Sequence, residues 1–125
     1  MATRNPAVTP EPAPVKTDSP AVWPIVIRSV PAILPDAPLW LRIRLQEDMQ
    51  ARHGFGLQKY GVPVQVESGR RADVDAYQEA LDLCVYSRQQ VERTGLGAWR
   101  TIHNEAVGLA AAILYQMELE REGTP

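Results

Sequence analysis

The sequence predicts an all-α protein, a small bundle of helices that carries an extended proline-rich N-terminal arm. Three observations predict it. Residues 73–86 contain neither proline nor glycine and consist largely of good helix formers. Toward the C-terminus, Ile102, Ala106, Leu109, Ala110, Ile113, Leu114 and Met117 recur at helical spacing and give one broad apolar face. Nine of the 11 prolines fall in the first 38 residues, which leaves about 85 residues to fold, a marginal number for a monomeric core. Oligomerisation is therefore expected.

Composition narrows the function classes. A net charge of −2 shows no basic excess and argues against nucleic acid as the main partner. The one cysteine, Cys84, lies within an apolar helical stretch, so it reads as a small buried hydrophobe rather than part of a disulfide or thiolate metal site. No apolar run reaches the roughly 18 residues needed to span a bilayer, and the N-terminus lacks a signal-peptide pattern. The expectation is a soluble cytoplasmic protein with no membrane partner.

Taken in order, residues 1–22 hold Pro6, Pro10, Pro12, Pro14 and Pro20 among small and polar residues. Such a segment buries too little apolar surface to offset its ordering entropy and reads as a disordered or extended arm. Residues 23–35 are apolar and β-branched but cut by prolines, which predicts an extended strap laid in a groove, or a short edge strand. A helical domain over residues 36–125 follows. Its first helix should start near Asp36, hold Pro38 in its first turn and run to His53. Leu41, Leu45, Asp48 and Arg52 share one stripe, so Asp48 either looks inward or pairs with Arg44 or Arg52 one turn away. Glu47 lies on the side of Trp40, Arg44 and Ala51. His53 reads as a helix-terminal cation.

Gly54, Gly56, Gly61 and Pro63 should break that helix. Lys59, Arg70 and Arg71 in the connection offer the charges a polyphosphate needs, although such a loop is also an ordinary solvated connection. Tyr60 could stack on a base or plug the core. Asp73 suits an N-cap of the next helix, which should fade at residues 92–94 before the Gly95–Leu96–Gly97 turn. The last helix should occupy about residues 98–122. His103 and Glu105, near its start, read as dipole and surface residues.

The helix over residues 73–86 carries the chemistry. Asp75, Glu79, Asp82 and Tyr86 fall on one stripe, while the remaining faces are apolar almost all round, the pattern of a buried helix. Buried carboxylates without a base require a neutraliser, and a hard divalent cation is the simplest. A solvated acidic stripe near a helix N-terminus, favoured by the helix dipole, is the alternative.

The run Gly56–Leu57–Gln58–Lys59–Tyr60–Gly61–Val62–Pro63, then Gly69–Arg70, then Asp75–Ala76–Tyr77–Gln78–Glu79–Ala80–Leu81–Asp82–Leu83 with Val85–Tyr86, resembles the MazG-like all-α nucleoside triphosphate pyrophosphohydrolases. The members it resembles are their small phage-encoded relatives, including the MazZ-type dATP/dGTP diphosphohydrolases. The resemblance covers about residues 40–92. The family's second acidic pair, Glu-x-x-Asp, matches Glu79 and Asp82; its first, Glu-x-x-Glu, is replaced by adjacent Glu47 and Asp48. The resemblance implies a dimer or tetramer in the bacterial host cytoplasm that hydrolyses a nucleoside triphosphate, dGTP or dATP, to monophosphate and pyrophosphate. It also implies Mg²⁺ or Mn²⁺ held by Asp48, Glu47, Glu79 and Asp82, with Asp75 as outer ligand or base. Lys59, Tyr60, Arg70 and Arg71 would contact substrate. A reading of another class is a non-catalytic helical oligomer that acts as an interaction or structural protein.

Overall fold

The structure, a computed structural model, describes residues 5–123; residues 1–4 of the expected arm and 124–125 of the expected helical domain lie outside it. Among the described residues there are four α-helices and no β-strand: α1 (Trp23–Ile33), α2 (Leu39–Tyr60), α3 (Ala72–Thr94) and α4 (Gly97–Arg121). None is long and apolar enough to cross a membrane. The chain divides into two compact units. Pro12–Arg70 forms one, and Arg71–Pro125 with Met1–Glu11 forms the other.

In the Pro12–Arg70 unit, α1 occupies the stretch expected to be an extended strap. Its prolines are placed where a helix tolerates or repairs them. Pro24 lies in the first turn, where a missing N–H costs nothing. Pro31 sits inside the last turn and deprives the Ile27 carbonyl of its helical donor. That carbonyl instead accepts from Nε2 of Gln46, reaching across from α2 at 2.8 Å. Next to it, Val30 is buried. α2 then runs seven residues past His53, through two glycines that each cost about 1 kcal/mol relative to alanine. Arg42, Gln46, Met49, His53 and Gly56 form its half-buried stripe, and this continuous seam carries the helix beyond the expected break. It stops at Gly61, whose φ of 73° needs glycine and whose N–H bonds the Leu57 carbonyl at 2.9 Å.

Residues 12–22 run beside residues 62–70 in antiparallel sense. Val22 donates to the Val64 carbonyl at 2.8 Å, and Val66 donates to that of Pro20 at 2.9 Å. Pro20 lacks the N–H that would return the second bond of its pair, and the Val22 carbonyl is taken by the Ile25 and Val26 N–H groups of α1, so the pairing amounts to an isolated bridge between Ala21 and Gln65. Buried Gln65 substitutes with its side chain. It accepts from the Thr17 N–H at 2.9 Å and donates to the Thr17 and Ser19 carbonyls at 2.7 and 2.8 Å.

In the other unit, α3 and α4 form an antiparallel hairpin about the Gly95 turn. Gly95 holds φ 67° and donates to the Val91 carbonyl at 2.8 Å. Ala80, Cys84, Ser87 and Val91 alternate steps of four and three residues along α3, as do His103, Ala106, Ala110, Ile113 and Met117 along α4. The small side chains Ala80, Ser87, Ala106 and Ala110 are all buried at this seam, together with Val91. α3 is thus buried along one stripe, not almost all round, because a single partner helix covers a single stripe. Val85 and Tyr86 on its other faces are 60% and 61% exposed.

The repair of Pro31 yields a test. Gln46→Leu should lower stability by about 1–3 kcal/mol, because it leaves a half-buried carbonyl without a donor. Pro31→Ala supplies that donor, so the same substitution in a Pro31→Ala background should cost clearly less. Urea unfolding of the four chains measures the coupling; equal costs would show that the Gln46 amide does not replace the lost helical bond.

Candidate functional site

α3 begins without a side-chain cap on its N-cap residue, Arg71. Asp73, expected as the cap, lies one step inside the helix. Its carboxylate accepts from the Val74 N–H at 2.9 Å and from Arg71, Nη2 to Oδ2 at 2.6 Å and Nε to Oδ1 at 3.1 Å. The Arg71 hydrogen bond holds the Asp73 carboxyl below its ordinary range, against the opposing effect of partial burial. Arg71, expected to meet substrate, is engaged within its own helix end.

Asp75, Glu79, Asp82 and Tyr86 occupy the face of α3 turned away from α4, since a turn of about 100° per residue sets them roughly opposite the Ala80–Ser87 seam. Glu79 and Asp82 are exposed, and among the described residues neither has a hydrogen-bonding or ion-pair partner. Asp75 is half-buried and partnered. The expected burial of these acids is corrected: α4 covers a different stripe, so they face solvent. Desolvation therefore does not force a cation onto them. Their spacing does permit one, because Mg²⁺ keeps several waters and is commonly bound by one or two carboxylates together with substrate phosphates. Among the described residues no group of three or more His, Cys, Asp or Glu stands together to hold a metal ion.

Other candidates lie in the Pro12–Arg70 unit. Asp48 does not look inward. It is 60% exposed and accepts from Arg44 Nε at 3.1 and 3.2 Å, the pairing one turn apart that spacing allowed. The stripe of α2 that holds Gln46 meets α1, and Asp48 falls outside it. Glu47 is exposed. Tyr60 is 52% exposed and so does not plug the core; Lys59 Nζ lies 5.2 Å from its ring centroid. Arg70 donates from Nη1 to the Pro12 carbonyl at 2.7 Å. His53 is not helix-terminal, since α2 continues to Tyr60, and its Nδ1 is buried without a hydrogen-bond partner among the described residues.

Two features escaped the sequence reading. His103, expected at the surface, is half-buried at the α3–α4 seam, with Nδ1 3.1 Å from the Cys84 carbonyl and 3.2 Å from Ser87 Oγ. Ser87, only 1% exposed, bonds the Leu83 carbonyl at 2.6 Å. The three-and-four spacing of Ala80, Cys84, Ser87 and Val91 was the signal that could have found this pair. Beside it lies an open groove of about 540 Å³ whose lining includes Cys84, Val85, Arg88 and His103 but none of the candidate acids. Compared with family models, curated proteins and solved structures, the chain matches none.

The Asp73–Arg71 pair predicts a pH dependence. A carboxyl whose folded value lies below its ordinary 3.8 stabilises the fold above that pH, and the contribution is lost as pH falls through the lower folded value. Asp73→Asn should therefore flatten the acid limb of Tm against pH below about 4. An acid limb as steep as that of the unaltered chain would remove Asp73 from the account.

Proposed function

We propose that this protein is a metal-dependent nucleoside triphosphate pyrophosphohydrolase. The observation that carries the reading is the Glu79–Asp82 pair. Two carboxylates three residues apart on an exposed helix face, with no neutralising partner among the described residues, are suited to an ion that arrives with its substrate. The resemblance supplies the rest: substrate dGTP or dATP, attack at the α-phosphorus, products monophosphate and pyrophosphate, and a role in shaping the nucleotide pool during phage replication.

Glu79 and Asp82 hold Mg²⁺ or Mn²⁺, with Glu47 or Asp48 as further ligands assigned by the resemblance alone. An ion held by these carboxylates would supply Lewis-acid polarisation of the phosphoryl group and a more acidic water. Asp75 orients that water or serves as an outer ligand. By the resemblance alone, Lys59, Arg70 and Arg71 would counter the charge that develops on the phosphates, and Tyr60 would offer a stacking face worth about 1–3 kcal/mol. Stacking accepts every base, so purine selection falls to hydrogen bonds along the base edge. Assembly as a homo-oligomer, a dimer or tetramer, is supported by large apolar side chains left in water, Trp40 at 69% and Tyr115 at 68% exposed.

The same exposed apolar residues favour a second reading, a non-catalytic helical oligomer with structural or interaction duties. A panel of all ribo- and deoxynucleoside triphosphates, assayed with Mg²⁺ and Mn²⁺, separates the two when pyrophosphate and orthophosphate are quantified individually. Pyrophosphate release is the expected outcome; orthophosphate alone would refute the reaction. Absence of turnover, together with no thermal stabilisation by metal and nucleotide, would favour the second reading.

Glu79→Gln and Asp82→Asn should each reduce pyrophosphate release by more than about 100-fold, a larger loss than outer partners of a metal site cause. Tm without metal should hold or rise, since two like charges on one helix face repel. Full turnover in both amide variants would sink the assignment.

A further inference from the structure

We propose that residues 5–11 form an autoinhibitory strap over the N-terminal end of the acidic stripe, one that a metal-bound polyphosphate must displace; this rests on Glu79 and Asp82 being the metal-holding pair. The strap is fastened to the outward face of α3 by Gln78. That residue lies three positions after Asp75 and four before Asp82, so it is a neighbour of both on the helix surface. Its Nε2 donates to the Pro6 carbonyl at 3.0 Å and to the Thr9 carbonyl at 2.8 Å, which uses both amide hydrogens. A second fastening lies at the head of the helix, where the Glu11 carboxylate accepts from the Arg71 N–H.

The strap is shaped before it docks. Asn5 accepts from the Ala7 N–H with its side chain at 2.9 Å and from the Thr9 hydroxyl with its carbonyl, which makes a compact turn. Pro6 and Pro10 restrict the free segment, so few contacts suffice to hold it. Pro6, Ala7 and Thr9 are half-buried while Val8 is 77% exposed, which distinguishes an inner from an outer side. Along the stripe Asp75, one turn from Gln78, is half-buried, whereas Glu79 and Asp82 remain open.

Chemistry makes the strap inhibitory. Against α3 it presents carbonyl oxygens and one carboxylate, all acceptors, and phosphate oxygens are acceptors as well. A triphosphate carried by Glu79 and Asp82 would meet a row of like dipoles along that face. Lifting the strap removes the row.

The test compares the full chain, a chain lacking residues 2–10, and Gln78→Leu. Affinity for α,β-methylene-dATP with Mn²⁺ is measured by calorimetry, and backbone ¹⁵N order parameters follow the non-proline residues of 5–11. The expected result is a strap as rigid as the helices in the free full chain, mobile in Gln78→Leu and mobile once the analogue binds. Binding should tighten about tenfold in both altered chains. Equal affinity in all three, or a strap already mobile in the free chain, would overturn the strap while leaving the acidic pair in place. Failure of all three to bind the analogue would overturn both.

Discussion

Each proline removes one backbone donor, and a chain with 11 of them leaves carbonyls that its own main chain cannot satisfy. Three glutamines supply the missing donors. Gln46 answers the Ile27 carbonyl that Pro31 orphans and so fixes α2 against α1. Gln65 takes the carbonyls of Thr17 and Ser19 in a segment where Pro20 lacks a ladder donor. Gln78 takes those of Pro6 and Thr9. A side-chain amide suits this role because it brings two donors on a flexible stem and no charge to desolvate. These three contacts help to order the N-terminal third, where Val30 is the one buried apolar residue among the described residues.

The α3–α4 hairpin is governed by size rather than by donors. Alanine and serine at the seam let the helices approach closely, but small side chains contribute little apolar area each. Such a pair of helices gains specificity of register more than stability, and Ser87 with His103 adds a polar contact that only one register satisfies. Because the seam uses Ala80, Cys84, Ser87 and Val91, the stripe that starts at Asp75 must point elsewhere. The outward aim of the acids therefore follows from where the small residues stand, with no separate cause needed.

These two constraints decide what was legible in the sequence. The end of α3 and the start of α4 were, because Gly95 punctuates locally and acts through its own backbone. All-α character was legible from periodicity. The helix at α1 was not, because proline spacing alone cannot reveal that a glutamine 15 residues after Pro31 in the chain will repair the broken bond. Nor was the true end of α2, since Gly54 and Gly56 weaken a helix by an amount that packing along Arg42, Gln46 and His53 can override. Asp48 could be read two ways, and the choice between core and ion pair depended on which stripe α1 would cover. His103 was misplaced for a related reason: its partner Ser87 is distant in sequence and polar, so neither residue advertises a seam.

Exposure of the acidic pair changes the ground on which its function is argued. Buried, Glu79 and Asp82 would have required a cation for folding, and the metal would have been structural as much as catalytic. In water, two like charges one turn apart cost only a few tenths of a kcal/mol, so the fold tolerates them without any ion. Nothing in the stability of α3 then requires both acids. A fold that does not depend on an ion would leave one free to arrive with substrate and depart with product, which is the exchange that the proposed turnover on a metal–nucleotide complex demands.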